Sequence, residues 1–76
     1  MKNLNKIISE VFKIHENDLS EGLTSNDIID WDSLGQFALI SRLEKEYHVT
    51  FEIDELFSIV TIGDIRNILK NKIDSK

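Results

Sequence analysis

No cysteine occurs among the 76 residues, so disulfide scaffolds, CxxC redox chemistry and cysteine-ligated zinc are excluded, and the chain supplies no thiol of its own. Histidine appears only as His15 and His48. No apolar run approaches the roughly 18 residues of a membrane span, and the opening Met-Lys-Asn-Leu-Asn-Lys leads into scattered apolar positions instead of an apolar block. A cytoplasmic protein without membrane contact is the expectation. Positive charge is also scarce: nine Lys and Arg against fourteen Asp and Glu leave a net charge of −5 and a pI near 4.8. That balance argues against nucleic acid and for partners with basic surfaces. A chain this short is expected to form one domain over residues 1–76, with too little core to line a deep polar cleft, so a self-contained enzyme is not expected.

What the chain does have is apolar periodicity, with 41% hydrophobic residues. Leu4, Ile7, Ile8, Val11 and Phe12 follow the spacing of a core-facing helical stripe, and Lys2, Lys6, Glu10 and Lys13 lie between them. Residues 16–32 lose that period. They contain Gly22 and many Asp, Asn, Ser and Thr, which predicts a long loop pinned to the core through Leu19, Leu23, Ile28, Ile29 and Trp31. A second helix is expected over residues 33–47, free of proline, with Gly35 only in its first turn, where glycine costs little. Its Leu34, Phe37, Leu39, Ile40, Leu43 and Tyr47 span more than half the circumference, so neighbours cover it or it lines an apolar cavity. Val49, Phe51 and Ile53 read as an extended connector plugging the bundle. Asp54 can cap a short helix to about Ser58, and Thr61 with Asp64 resembles a capping box opening a last helix through Ile62, Ile65, Ile68, Leu69 and Ile73. The expected fold class is therefore all-α: a four-helix bundle with three longer helices, one short third helix, and a long loop between the first two.

Acidic charge concentrates in two segments. Glu16, Asp18, Glu21, Asp27, Asp30 and Asp32 have no Lys or Arg among them, and Glu52, Asp54, Glu55 and Asp64 form the second group. Either these centre a steering field or they collect where loops and helix amino ends favour acids. The junction Trp31-Asp32-Ser33-Leu34-Gly35 is the informative point, because there the acidic loop runs into the apolar second helix. A hydroxyl on a first helical turn lies where free backbone N–H groups and the positive dipole end favour a phosphate. The same residues also read as a plain helix start, since Asp32 is a good N-cap and Ser33 with Gln36 matches S-x-x-Q.

With Asp32-Ser33-Leu34 at the start of the second of four helices, the sequence resembles the acyl carrier protein family. The resemblance extends from a helix near residues 3–15, through the acidic loop and the Arg42-Leu43-Glu44-Lys45-Glu46-Tyr47 helix end, to the Thr61-initiated last helix. It implies a monomeric carrier without catalytic residues or a metal. Ser33, flanked by Asp32 and Leu34, would take a 4′-phosphopantetheine arm from a phosphopantetheinyl transferase, and the arm's thiol would hold an acyl or aminoacyl group as a thioester. Phe37, Leu39, Ile40, Leu43, Ile59 and Ile62 would enclose the cargo. Asp27, Asp30, Gln36, Phe37, Arg42 and Glu44 would dock loading and transferring enzymes through their basic surfaces. Where fatty-acid carriers usually place acids after the serine, this chain has Gly35, Gln36, Phe37 and Ala38, so its run looks more like that of carriers serving polyketide, aminoacyl or surface-sugar pathways. A non-covalent helical interaction module is the alternative reading. A hydrolase built on Ser33 with His15 or His48 is disfavoured, because both histidines are expected at helix ends, and Asp27, Asp30 and Asp32 lack the glycine and distal glutamate of a calcium loop.

Overall fold

The computed structural model describes residues 1–75, which form four α-helices: α1 (Leu4–Phe12), α2 (Ser33–Tyr47), α3 (Ile53–Phe57) and α4 (Ile62–Asp74). Each of the three longer helices turns one apolar stripe inward. Leu4, Ile7, Ile8 and Phe12 meet Leu39, Ile40 and Leu43, and Ile62, Ile65 and Leu69 complete the core. Burying such side chains contributes about 1.5–3 kcal/mol each, the main term holding so small a chain together.

Polar contacts fix how the helices sit. Arg42 on α2 pairs with Glu10 on α1 at 2.7 Å, and Arg66 on α4 reaches Glu21 in the long loop at 3.0 Å and the Asn5 side chain at 2.7 Å. At the far end of α4, Lys72 Nζ lies 2.6 Å from Glu55 on α3 and 5.4 Å from the centre of the Phe51 ring. This tether closes the bundle over the connector between α2 and α3.

Several boundaries differ from the sequence expectation. The first helix does not reach His15: Lys13 adopts a left-handed conformation (φ 56°), its N–H donates to the Ser9 carbonyl, and the chain turns away. His15 instead precedes a single 3₁₀ turn at Glu16–Asp18. His48 does end α2, again left-handed at φ 56°. The cap of α3 is Glu52 and not Asp54. The Glu52 N–H donates to Glu55 Oε1 at 2.7 Å, which places Ile53 inside the helix with its side chain exposed, so of the connector's apolar residues Phe51 is the one buried in the core.

The long loop is pinned as expected through Ile28 and Trp31, which are buried, and through Leu19 and Leu23, which pack against the core. Ile29 departs from that expectation at 96% exposure. The loop also touches the start of α4. Thr24 and Thr61 form an isolated antiparallel bridge, Ile62 N–H donates to the Leu23 carbonyl at 3.0 Å, and Gly63 N–H donates to the Glu21 carbonyl at 3.0 Å. These bonds satisfy amide groups that the first turn of a helix otherwise leaves without partners.

Candidate functional site

Asp32 is the N-cap of α2. Its backbone is extended (φ −105°), and its Oδ1 accepts the Gly35 N–H at 2.7 Å. Ser33 is thereby released from capping and occupies the first helical position, exposed, with no hydrogen bond to its side chain among the described residues. Gln36 does not cap either. Its Oε1 accepts the Trp31 indole N–H at 2.7 Å, and its Nε2 faces the Leu56 carbonyl of α3 at 3.4 Å. Beneath this bridge the buried Trp31 ring stacks on Phe12, with centroids 5.1 Å apart and planes 23° from parallel.

Gly35 has a stricter role than sparing the first turn. A Cβ at this position would lie 1.8 Å from the Asp30 carbonyl oxygen, so the loop backbone rests directly on the helix where a side chain would stand. Trp31 in the core, Asp32 on the cap and Asp30 against Gly35 together fix the direction in which Ser33 leaves the loop.

Next to Ser33 a groove of about 850 Å³ opens between α2 and the segment around α3. Its apolar lining includes Phe37, Ile40, Phe51, Leu56, Ile59 and Val60. Of the residues expected to enclose a cargo, Phe37, Ile40 and Ile59 line it. Leu39, Leu43 and Ile62 do not: they are fully buried in the helical core. Phe37 is 72% exposed and Leu34 80%, so both stand at the surface instead of under a neighbouring helix. Trp31, Phe51, Leu56 and Val60 were not foreseen as lining. A sequence signal for the last two exists in the doublets Leu56-Phe57 and Ile59-Val60, which hold more apolar surface than a five-residue helix can bury.

The expected docking residues divide by what already holds them. Asp27 is exposed but its Oδ2 accepts the Thr24 N–H at 2.9 Å within the loop, and Glu44 Oε2 accepts the Phe51 N–H at 2.9 Å. Arg42 is committed to Glu10, whose carboxyl is held below the usual range chiefly by that hydrogen bond. Gln36 is engaged at both ends of its amide. Phe37 is exposed and Asp30 half-buried.

Acids at helix starts serve the backbone. Backbone N–H groups of Val60 and Thr61 donate to Asp64 Oδ2 at 2.8 and 3.0 Å and hold its carboxyl below the usual range, while Thr61 Oγ1 accepts the Asp64 N–H as the capping-box pattern requires. Glu55 is lowered in the same direction, first by the Glu52 N–H and then by Lys72. His48 stands apart from any serine chemistry, since it caps the opposite end of α2, about 22 Å from Ser33 at 1.5 Å rise per residue. Among the described residues no three acidic, histidine or cysteine side chains converge as metal ligands.

An exposed hydroxyl on the first turn of the second helix, beside an apolar groove in a small bundle, is the arrangement that the comparisons with known proteins match to a carrier class. The family model described as the phosphopantetheine attachment site matches residues 3–69, and the chain belongs to that family, the acyl carrier proteins. It is 29% identical over 73 residues to the acyl carrier protein of Petrotoga mobilis, covering 96% of this chain and 86% of the relative. Against the acyl carrier protein of Cylindrotheca sp. it is 29% identical over 76 residues, spanning 100% of this chain and 95% of that one. The solution structure of a holo acyl carrier protein from Geobacter metallireducens matches with a TM-score of 0.86 at 31% identity, covering 99% of this chain and 90% of that one. A putative acyl carrier protein from Mycobacterium tuberculosis shares the fold, with a TM-score of 0.80 at 23% identity over 92% and 93% of the two chains. The protein is thus a carrier with phosphopantetheine as its prosthetic group, and the non-covalent module is not favoured. No helix among the described residues is long and apolar enough to cross a membrane.

Proposed function

We propose that Ser33 Oγ is the attachment point of the 4′-phosphopantetheine arm, and that the groove beside it receives part of the cargo. The observation that carries the assignment is the division of labour at the α2 start: Asp32 caps the helix, leaving the neighbouring hydroxyl exposed and without an internal partner. A phosphodiester there would meet the amino end of a 15-residue helix, whose dipole favours negative charge. When bound, the arm supplies a terminal thiol that carries the acyl group as a thioester. The chain's own residues anchor the arm, present it, and shield its cargo with Phe37, Ile40 and Ile59.

The reading includes no catalytic residue. A phosphopantetheinyl transferase would act on the Asp32-Ser33-Leu34 turn, and acyl- or aminoacyl-handling enzymes would meet the exposed surface around it. The first two turns of α2 carry no charged side chain until Arg42, which supports clients outside ordinary fatty-acid synthesis. Incubating the protein with coenzyme A, Mg²⁺ and a promiscuous phosphopantetheinyl transferase, with intact mass as readout, tests the assignment. The unmutated chain is expected to gain one arm and Ser33→Ala none; an unmodified wild type, or a modified Ser33→Ala, overturns it.

A further inference from the structure

Gln36 crosses the groove next to Ser33. It lies one turn beyond Ser33 on α2, its carbonyl oxygen holds the indole N–H of Trp31, and its amide nitrogen faces the Leu56 carbonyl on α3. Trp31, Gln36 and Leu56 all line the cavity, as does Ser33 itself. From these positions we propose that Gln36 is a specificity-determining latch: it ties the two walls of the groove together near its Ser33 end and discriminates among cargoes by whether they can replace its hydrogen bonds. This inference rests on the Ser33 assignment above.

The selection follows from what displacement leaves behind. Trp31 is 5% exposed, and its indole N–H is a donor with no acceptor function. A plain alkyl chain pushing between α2 and α3 parts the Gln36 amide from Leu56, and in swinging that side chain out of the groove it also takes the acceptor from the indole and offers that N–H nothing in return, leaving a buried donor unsatisfied. A cargo with a hydroxyl or keto oxygen near its carbonyl offers a replacement acceptor. The groove also has polar walls in Ser41, whose hydroxyl can donate to either oxygen type, and Glu44, whose carboxylate can accept from a cargo hydroxyl. The expected cargo class is an acyl group with an additional oxygen close to the thioester, with unbranched alkyl chains held outside.

The test compares octanoyl and 3-hydroxyoctanoyl thioesters on the phosphopantetheine arm attached to Ser33, following thioester hydrolysis by intact mass against the same thioesters on free pantetheine. In wild type the 3-hydroxy cargo is expected to hydrolyse at least threefold more slowly than its free counterpart, and octanoyl at a rate within twofold of its own. Gln36→Leu removes both hydrogen bonds, and should extend at least threefold protection to octanoyl. Gln36→Glu keeps an acceptor for the indole but loses the donor to Leu56, and should protect octanoyl more than wild type does and less than Gln36→Leu. Fluorescence of Trp31, the single tryptophan, should shift to the blue when octanoyl enters the leucine variant. Equal protection of both cargoes in wild type, or a leucine variant that folds and discriminates like wild type, overturns the latch. Should the leucine variant fail to fold, the glutamate variant decides: unchanged discrimination there overturns the proposal. Failure to load at all would instead count against Ser33, which the mass measurement registers before any hydrolysis is followed.

Discussion

Replacing Gly35 with alanine sets two physical arguments against each other with opposite signs. Helix propensity favours the change, since alanine is better than glycine by up to about 1 kcal/mol in a helix interior and by less in a first turn. The packing opposes it. The new Cβ would lie 1.8 Å from the Asp30 carbonyl oxygen, 3.0 Å from the Asp30 carbonyl carbon and 3.3 Å from Asp32 Oδ1, and the nearest atom is backbone, which cannot rotate aside. To restore even 3.0 Å the loop must retreat by about 1.2 Å. Overpacking of this kind costs about 1–3 kcal/mol, and displacing Asp32 from its cap adds up to about 1 kcal/mol. Packing should win by about 1–3 kcal/mol, a fall in Tm of about 4–24 °C for a domain of this size. Thermal melts followed by circular dichroism check it, with Gly22→Ala as control because a Cβ there has nothing within 4 Å. A Gly35→Ala protein that melts at or above wild type would refute the close approach of loop and helix, and with it the account of how Ser33 is aimed.

Ser33→Ala should lose the arm yet change the melting temperature little, since the cap belongs to Asp32; Asp32→Ala should cost about 1 kcal/mol in urea unfolding. Phe37→Ala should leave stability nearly unchanged and shorten the lifetime of a protected cargo, whereas Leu39→Ala, which opens a hole in the core, should cost about 2–5 kcal/mol in the same unfolding assay. The carboxyls of Asp64 and Glu55 are lowered in the folded state, so their contribution to stability is present above the ordinary carboxylate range and disappears as pH falls through their folded values. Asp64→Asn should therefore flatten the acid side of a stability-versus-pH curve, measured as the urea midpoint at successive pH values.

The elements that could be read from the sequence are those whose determinants are local. The stripe Leu4 to Phe12 and the pair Thr61 and Asp64 lie within a few residues of each other, and both behave as their spacing implies. The cap of α3 was not legible in that way, because Glu52 and Asp54 are both competent; the choice falls to Glu55, which reaches back to the Glu52 N–H while Lys72, seventeen positions further along, holds its carboxylate. The wide apolar arc of α2 likewise announces how much apolar surface the helix presents and not which part is covered. Leu39 and Leu43 vanish into the core that α1 and α4 residues also build, while Phe37 stays exposed and becomes groove wall together with Leu56 of α3. Placing Phe37, Leu39, Ile40 and Leu43 together around the cargo conflated core with pocket for this reason.

The same distinction explains why the Asp32-Ser33-Leu34 turn is ambiguous as text and specific as structure. Serine followed three residues later by glutamine is compatible with a capping box, and only a partner from elsewhere can divert the glutamine. That partner is Trp31, whose indole N–H must find an acceptor once its ring is stacked on Phe12 in the core. Gln36 provides the acceptor, Asp32 takes the cap, and the Asp30 carbonyl occupies the space that Gly35 leaves open. Around Ser33, then, Trp31, Asp32, Gly35 and Gln36 are each fixed by an internal demand of the fold, and the hydroxyl stands exposed because nothing in the bundle requires it. A side chain held in one direction by structural neighbours, yet carrying no structural duty itself, can be modified without a cost to stability, which is the physical condition an anchoring residue has to meet.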